Sequence, residues 1–364
     1  MHELPNPDSR RSFLSRITAR GYVPLEVQIP SYETVVSTLA ETSSDLPSAL
    51  WIFPTTLGRL ASNSNVVDDL FPAMADQLNR FKPGEVTVVV GIQYQDVYQQ
   101  TEARQLAQRI AAIFVRASIP VLTMAVNARR KLATLNIALQ VTSHLPYTAV
   151  GWVDDDVVLS DNCLMKLWER ARDPKFSGAI GAHKIGSPEN CTSSKILHLL
   201  KGITKPATDY PHGCCIIVDR QVVGSGIPWK YYSEDGYICF SLIDIENVDP
   251  LHRLVIEHKA FCYHKVGTTG LWSNMRRIRR LLLNHNILIA DSRPEVARYY
   301  TRKLLFHGMW PYSPLSTEIR LSTATLRAIL KWLYFGFYSA VKLELIIRGL
   351  IGRPLRTVTW GTMT

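Results

Sequence analysis

Three consecutive carboxylates, Asp154, Asp155 and Asp156, are the residues whose types and spacing most clearly suggest chemistry. Apolar residues flank them on both sides, at 149–153 and 157–159. Like charges this close repel one another unless a cation compensates them or water solvates them. Carboxylate oxygens at the end of a buried strand suit Mg2+ or Mn2+, ions that also hold substrate phosphates. An acidic surface turn is the alternative, but the apolar flanks favour a metal and phosphate site.

A second acidic pair, Glu234 and Asp235, follows Ser233 and opens a helical pattern. Acidic residues in the first turn of a helix are stabilised by the helix dipole, whatever the function of the protein. A carboxylate in a site partly closed to water could instead serve as a general base, a task that gains from a raised pKa. The residues alone leave both interpretations open.

The totals of the chain indicate a globular protein that favours anionic partners. Its 364 residues are 46% hydrophobic and 20% charged, which allows one large domain with additions or two domains. The net charge of +10 favours nucleotides, nucleic acid or an acidic membrane face, but no nucleic-acid-binding module is found. The six cysteines show no zinc spacing, and residues 1–20 lack the apolar run of a signal peptide. We therefore expect a cytoplasmic protein, with the cytoplasmic face of a membrane as an alternative location.

Strand and helix patterns alternate from residue 48 onward. Short apolar or β-branched runs predict four strands, at 49–53, 86–92, 119–126 and 150–153. Helical spacing predicts helices between them, at 66–78, 99–116 and 131–141. This alternation is typical of a mainly parallel sheet with helices on both faces, where ligands bind at the carboxyl ends of the strands. Polar segments fall at four such ends, namely 54–56, 93–96, 127–131 and 154–156.

The rest of the chain is less regular. The second half predicts strands and helices around a polar loop at 186–210: strands at 178–184, 213–219 and 261–264, and helices at 195–201, 234–243 and 275–283. Residues 1–47 show little periodicity and are expected to be a partly irregular N-terminal extension with weak helical content near 11–20.

Four motifs, in order, resemble those of family 2 glycosyltransferases. Residues 129–139, RRKLATLNIAL, resemble the family's GK-x-x-ALN-x-A-L segment, and residues 152–156, WVDDD, resemble its D-x-D strand end. Residues 213–219 resemble the glycine strand of the acceptor half, and Glu234-Asp235 resembles the E-D motif that follows it. His264 lies where many members place a late metal or phosphate contact. The order and spacing match from about residue 48 to residue 280.

The resemblance implies an α/β fold of the GT-A type, Rossmann-like, with a mainly parallel central sheet covered by helices on both faces. The catalytic domain would be residues 48–290, with a nucleotide-sugar-binding half (48–156) and an acceptor half (157–290), followed by a helical region at 291–364. The implied reaction is a metal-dependent, inverting transfer of a sugar from a nucleotide-diphospho-sugar, with a UDP-sugar favoured. The acceptor would be the hydroxyl of a sugar, a lipid-linked acceptor or a small molecule, and the cofactor Mn2+ or Mg2+.

The resemblance also implies roles for particular residues. Asp235 would be the general base and Glu234 would position it or the acceptor. Asp156, with Asp154 and His264, would bind the metal, although a structural histidine is as good an interpretation of His264. The remaining donor-binding residues would be Pro54, Thr55, Thr56, Gln93, Asp96, Lys131, Asn136, Asp154, Asp155, Arg276 and Arg279. For the two arginines, a solvated or membrane-facing basic helix is an equally good interpretation.

The chain departs from the family pattern in three places. Residues 93–96, QYQD, replace the usual acidic residues at the second strand end, which puts recognition of the base in doubt. Arg130 and Thr134 replace a glycine and an alanine in the lysine segment. The Q-x-x-R-W motif of processive synthases is missing, so transfer of a single sugar is favoured over polymer synthesis.

Residues 321–350 carry apolar and aromatic side chains at helical spacing, interrupted by a few charges that include Glu344. Two interpretations are a helix packed on the catalytic domain, which we favour slightly, and an interfacial helix that brings the protein to a membrane. Two functions rival sugar transfer. A nucleotidyltransferase acting on a sugar phosphate would need a glycine-rich phosphate loop, for which residues 54–59, PTTLGR, are a poor match. A nucleotide-sugar-binding protein without catalysis is the other, and the intact Asp235 argues against it.

Overall fold

A computed structural model describes most of the chain, in the ranges 12–23, 30–39, 48–62, 66–128, 130–188, 210–224, 226–266, 271–307, 309 and 321–356. The strands in these ranges are β1 (Tyr22–Val23), β2 (Tyr32–Ser37), β3 (Ala49–Thr56), β4 (Val86–Tyr94), β5 (Val121–Asn127), β6 (Ala149–Val153), β7 (Val157–Leu159), β8 (Ala179–Pro188), β9 (Cys215–Asp219), β10 (Leu254–Val266) and β11 (Leu355–Arg356).

The α-helices in the described ranges are α1 (Phe13–Arg20), α2 (Leu57–Ser62), α3 (Phe71–Leu78), α4 (Gln100–Arg116), α5 (Lys131–Val141), α6 (Cys163–Ala171), α7 (Arg220–Val223), α8 (Glu234–Leu242), α9 (Leu271–Asp291), α10 (Pro294–Tyr299) and α11 (Leu321–Leu350). Shorter or irregular helical turns lie at Val66–Leu70, Val97–Gln99 and Tyr300–Leu305.

A mixed sheet of nine strands forms the centre of the molecule, in the order β2-β5-β4-β3-β6-β9-β8-β10-β7. The run β5-β4-β3-β6 is parallel throughout, and β8 and β10 are parallel as well. Strand β9 runs antiparallel to both of its neighbours, β6 and β8. The α/β class, the parallel central strands and the helical C-terminal region are therefore confirmed.

Both faces of the sheet are covered, because β3 sends alternate side chains into two cores. Trp51 and Phe53 pack on one face, where Phe53 stacks at 6.0 Å on Phe114 of α4. Leu50 and Ile52 pack on the other face, with the apolar residues of α5. Trp51 pairs with Gly151 of β6, and a Cβ atom on Gly151 would overlap the Trp51 ring. Only glycine at this position leaves room for the ring.

Several predicted boundaries are wrong. The first strand does not end before Pro54 but continues to Thr56, and it can do so because β6 pairs with β3 only as far as Ile52. The proline therefore has a single neighbouring strand at its position, where its missing N–H is tolerated. The helix predicted at 66–78 begins only at Phe71, with Pro72 in its first turn. The strand predicted at 261–264 is the end of the 13-residue β10. The helix predicted at 195–201 lies outside the described residues.

Residues 1–47 contribute more structure than the sequence predicts. Helix α1 matches the expected helical content, but β2 is an edge strand of the main sheet, antiparallel to β5. None of its six residues is buried, so the apolar signal of an internal strand is missing from this stretch.

Helices α1, α9 and α11 pack against one another, although α1 lies far from the other two in sequence. On α11, Ala324, Tyr338 and Leu345 are buried, and the Lys331 ammonium donates to the carbonyl of Leu305 at 3.0 Å. The predicted packing of this helix is thus observed for one of its faces. Within the described ranges, no helix combines the length and the apolar character that crossing a membrane requires.

Candidate functional site

The candidate site lies where the carboxyl end of β6 meets the first turns of α5 and α8. Asp154 follows the last residue of β6, Lys131 is the first residue of α5, and Glu234 and Asp235 are the first two residues of α8. Ser233 caps α8, since its hydroxyl accepts a hydrogen bond from the N–H of Gly236 at 3.1 Å. Three separate elements therefore direct charged side chains to one edge of the sheet.

Lys131 joins the two acidic motifs. Its ammonium nitrogen lies 2.5 Å from Asp154 Oδ1 and 2.5 Å from Glu234 Oε1, and it donates to the carbonyl of Gly213 at 2.6 Å. An ammonium has three N–H donors, and these three acceptors use all of them. Although burial alone would lower the pKa of Lys131, the charges of Asp154 and Glu234 raise it well above its usual value. The cation is therefore permanent at neutral pH.

One ammonium does not fully compensate the carboxylates around it. Burial raises the pKa of Asp154 to about 7; Lys131 opposes this, while the charges of Glu234 and Asp156 add to it. Asp154 therefore titrates near neutral pH. Lys131 was predicted to contact the donor, but a bond to a diphosphate would require it to give up one of its present acceptors.

Gly213 holds the two sides of the site together through its peptide groups. Its carbonyl accepts hydrogen bonds from Lys131 and from Trp152 Nε1 at 3.0 Å, and its N–H donates to Asp235 Oδ2 at 3.0 Å. A Cβ atom at this position would lie 2.7 Å from Glu234 Oε1 and 3.2 Å from Asp235 Cβ. Only glycine fits here without displacing the carboxylates.

Asp235 is the most heavily hydrogen-bonded carboxylate of the site. Oδ1 accepts from the N–H of Gly236 at 2.8 Å and from the hydroxyl of Ser233, while Oδ2 accepts from Gly213. Burial alone would raise its pKa, but these hydrogen bonds, together with the charges of His212 and Lys131, lower it. The expectation of a raised pKa for Asp235 is therefore wrong: the side chain is held in its ionised form.

Asp156 faces His264 rather than Lys131. Its Oδ2 atom lies 3.7 Å from His264 Nε2, because β10, which carries His264, pairs with β7 directly after the acidic triplet. Asp154 turns away to Lys131, so the three predicted metal ligands do not converge. Within the described ranges, no cluster of three or more histidine, cysteine, aspartate or glutamate side chains could hold a metal ion.

The other strand-end residues mainly support the backbone around the site. Thr55 donates its hydroxyl to Asp155 Oδ2 at 2.6 Å, which ties the end of β3 to the triplet. Gln93 donates to the carbonyl of Arg130 and to Thr134 Oγ1, both at 2.8 Å, and so fixes the start of α5. Asn136 uses both atoms of its amide on the backbone of Ile227, each at 2.8 Å.

Five further predicted binding residues lie in different surroundings. Asp96 is exposed and caps the turn at Val97–Gln99. Arg279 bonds both carboxylate oxygens of Glu344 on α11 at 2.8 Å, so its guanidinium is committed to helix packing rather than to a diphosphate clamp. Arg276 is exposed on the same helix. Pro54 is buried within β3, and Thr56 is the exposed last residue of that strand.

Sequence reasoning did not identify the bonds of Gly213 and Ser233 to Asp235. A signal for Ser233 was present, since serine directly before two acidic residues is a common helix start. The resemblance marked residue 213 as the start of a glycine strand, but no sequence signal shows that its N–H and carbonyl bind side chains from two distant segments.

Comparison with solved structures identifies the fold. A mannosyltransferase from Pyrobaculum calidifontis, solved with GDP-Man and Mn2+, matches 87% of this chain and 90% of its own length, with 15% sequence identity and a TM-score of 0.50. The chain has a GT-A-like glycosyltransferase fold. Weaker matches are S. aureus TarS (14% identity, TM-score 0.40, covering 82% of this chain and 54% of TarS) and glucosyl-3-phosphoglycerate synthase from Mycobacterium tuberculosis, solved with Mn2+, UDP and phosphoglyceric acid (11% identity, TM-score 0.37, covering 67% and 78%).

Sequence comparisons add nothing to this assignment: no protein-family model matches the chain, and no characterised protein matches it by sequence. At 15% identity, the structural match establishes the shared fold, and the chemistry has to be argued from the residues of this chain.

Proposed function

We propose that this protein is a glycosyltransferase that moves a single sugar from a nucleotide-diphospho-sugar to an acceptor hydroxyl, with inversion at the anomeric carbon. The observation that carries the proposal is the meeting of the two acidic motifs across Lys131 and Gly213, at the carboxyl edge of the sheet. In α/β sheets this edge is where ligands bind. The division into a donor half and an acceptor half on either side of residue 156 is part of the same proposal.

Asp235 is the proposed general base. The acceptor hydroxyl would give its proton to Asp235 while its oxygen attacks the anomeric carbon, and the bond from that carbon to the diphosphate would break. The lowered pKa keeps Asp235 ionised at neutral pH, so it is in the form that accepts a proton. Because a carboxylate has about four lone-pair directions, its three present bonds leave room for one more donor.

Asp156 and His264 are the proposed protein ligands of a divalent metal. Ions of this kind are often held by one or two side chains while substrate phosphates complete the coordination, so a two-residue donor set fits such a site. The mixed nitrogen and oxygen donors suit Mn2+ better than Mg2+. When bound, the metal would stabilise negative charge on the departing diphosphate. The nucleotide would be bordered by Asp155, Thr55 and the ends of β3 and β4. A UDP-sugar is the favoured donor.

The test combines donor binding with turnover. The melting temperature of the purified protein should rise with one nucleotide diphosphate in the presence of Mn2+ and not with EDTA, since a ligand that binds only the folded state stabilises it. With the matching donor sugar and an acceptor panel, Asp235→Asn should retain this stabilisation but lose about 10²–10⁴-fold in transfer rate.

Three results would contradict the proposal. If no nucleotide raises the melting temperature of the folded protein with any metal, no donor site exists at the acidic triplet. If a sugar phosphate and a nucleoside triphosphate react while nucleotide sugars are inert, the protein is a nucleotidyltransferase. Donor binding without transfer or hydrolysis would instead leave a nucleotide-sugar-binding protein.

A further inference from the structure

Helix α11 presents a row of exposed apolar side chains to the outside of the molecule. Eight of its large apolar side chains are exposed, at the spacing of one helical face: Leu326, Ile329, Trp332, Leu333, Phe337, Leu343, Ile347 and Leu350. We define these residues as the apolar stripe. Leu333 and Leu350 are more than 60% exposed, so the stripe is not the margin of a buried face.

The apolar stripe contains no exposed charge. Among the side chains of α11 that the structure describes, every exposed one is uncharged, whereas Arg327, Lys342, Glu344 and Arg348 are half-buried and Lys331 is buried. Helix α4 is the opposite case on the same protein, since it exposes Glu102, Arg104, Gln105, Gln108, Arg109 and Arg116. A contiguous exposed apolar surface of this kind usually marks an interaction site.

The helices around the stripe concentrate the positive charge of the chain. Together α1, α9 and α11 contain ten basic and two acidic residues, and so hold eight of the ten net positive charges of the whole protein. Both acidic residues are paired: Asp291 lies 2.7 Å from the Lys230 ammonium, and Glu344 lies 2.8 Å from Arg279. The partner of this surface should therefore be apolar and anionic.

We propose that the apolar stripe is a membrane-binding surface, with α11 lying in the interface of a bilayer that contains acidic lipids. Apolar side chains would enter the acyl region while exposed basic residues of α1 and α9, namely Arg16, Arg20 and Arg276, would contact lipid headgroups, as in amphipathic interfacial helices. Trp332 is exposed beside Phe335, and tryptophan prefers this boundary because its ring has an apolar body and a polar N–H.

A second copy of the chain fits this surface less well. A two-fold symmetric contact through the stripe would bring the same basic helices of both copies face to face. Eight net positive charges on each side would then repel at close range, whereas an anionic bilayer attracts them. The charge distribution therefore favours a membrane over a second copy of the chain as the partner of the stripe.

Vesicle flotation with the full-length protein tests the proposal. The protein should float with vesicles of phosphatidylcholine and phosphatidylserine, bind phosphatidylcholine alone more weakly, and lose affinity as salt screens the charges. The pair Leu333→Glu and Phe337→Glu should lower the partition coefficient at least about tenfold, because two apolar side chains no longer enter the membrane. A neutral pair, Leu343→Gln and Ile347→Gln, should also weaken binding without adding charge.

The matched control is the pair Val115→Glu and Val248→Glu, which makes the same change at exposed apolar positions outside the stripe. This pair should bind vesicles like the wild type, apart from a small electrostatic loss. Equal loss of binding in the stripe and control variants would overturn the proposal, and so would failure of the folded wild type to float with any vesicle. A concentration-dependent dimer that Leu333→Glu and Phe337→Glu disrupt, without vesicle binding, would assign the stripe to a second copy. The assay needs no sugar donor, so its result is independent of the proposed transfer reaction.

Discussion

The candidate site contains two pairs of carboxylates with different partners. Each pair has one member from the acidic triplet and one from the Glu234-Asp235 motif. Asp154 and Glu234 share the Lys131 ammonium as their common counter-charge. Asp156 and Asp235, their neighbours in sequence, have other partners: the imidazole of His264 for the first, and hydrogen bonds from Gly213, Ser233 and Gly236 for the second. The inner pair, Asp154 and Glu234, therefore holds the two halves of the site together. Asp156 and Asp235 form the outer pair, to which the proposed function assigns metal binding and proton transfer.

The largest effect on stability should come from removing the shared cation. Lys131→Met leaves two largely buried carboxylates without compensation and should lower the free energy of unfolding by about 3–5 kcal/mol, measured by urea denaturation. Lys166→Met is the control, because that half-buried ammonium bonds two backbone carbonyls and, among the described residues, compensates no carboxylate; it should change stability by less than about 0.5 kcal/mol. Adding Glu234→Gln to Lys131→Met should restore part of the loss. A double variant less stable than Lys131→Met would contradict the shared-cation account.

A smaller loss of stability should follow when a methyl group is placed at residue 213, between the inner and outer pairs. In Gly213→Ala, the new Cβ atom would press on Glu234 and Asp235, and overpacking of this kind costs about 1–3 kcal/mol. Transfer activity should fall as well, since both acidic residues would move. Gly58→Ala in α2 is the matched control: it has open space around its Cβ position and should be neutral or slightly stabilising. If the two variants unfold at the same urea concentration, Gly213 does not hold the pairs in place.

The next effect depends on pH and concerns His285, whose ring contacts the Tyr300 hydroxyl at 2.9 Å. Burial lowers the pKa of His285 from 6.5 to about 4; the charge of Asp235 opposes this shift and that of Lys331 adds to it. The unfolded chain therefore binds a proton that the folded protein excludes, so stability falls as the pH drops through 6.5 and the loss is complete below about pH 4.

Between pH 7.5 and pH 5.5, this group should remove about 1 kcal/mol from the free energy of unfolding. His285→Gln cannot titrate and should lose that much less over the same interval, as read from urea midpoints at the two pH values. Parallel pH profiles for the two proteins would show that His285 is not held neutral.

The smallest effect on stability is expected at Asp156. Because the Asp156 side chain is 38% exposed and faces the imidazole of His264 rather than the Lys131 ammonium, Asp156→Asn should change the free energy of unfolding by less than about 0.5 kcal/mol. The same variant should abolish the metal-dependent thermal shift with nucleotide diphosphate. Asp154→Asn, by contrast, should alter the stability of the protein without ligand. If Asp156→Asn destabilises the protein as strongly as Lys131→Met, the division into an inner and an outer pair is wrong.

The sequence predicted the strands and helices that form this site better than it predicted the hydrogen bonds and ion pairs between their side chains. The alternation of strands and helices predicted the sheet edge, and the acidic triplet, the lysine segment and the Glu234-Asp235 pair do lie close together there. Their bonds depend on side-chain directions that spacing does not contain. Thus Lys131 serves both acidic motifs, and the hydrogen bonds to Asp235 reverse the expected direction of its pKa shift.

Partners from distant segments explain most of the other differences. Arg279 lies in a run of four arginines in which no local pattern shows which one bonds Glu344, 65 residues later. Strand β2 was missed because an edge strand with no buried residue has little apolar signal. In each case the deciding contact is long-range.

The pairing of β1 with β11 has a consequence for the synthesis of the protein. Tyr22 pairs with Leu355, and Gly21 and Gly349 allow α1 to lie directly against the backbone of α11. During synthesis α1 emerges from the ribosome long before its partners, since α9 and α11 follow it at Leu271–Asp291 and Leu321–Leu350. While the sheet assembles on the emerging chain, α1 therefore has to wait with its apolar side chains exposed. Its docking can be completed only when the end of α11 leaves the ribosome.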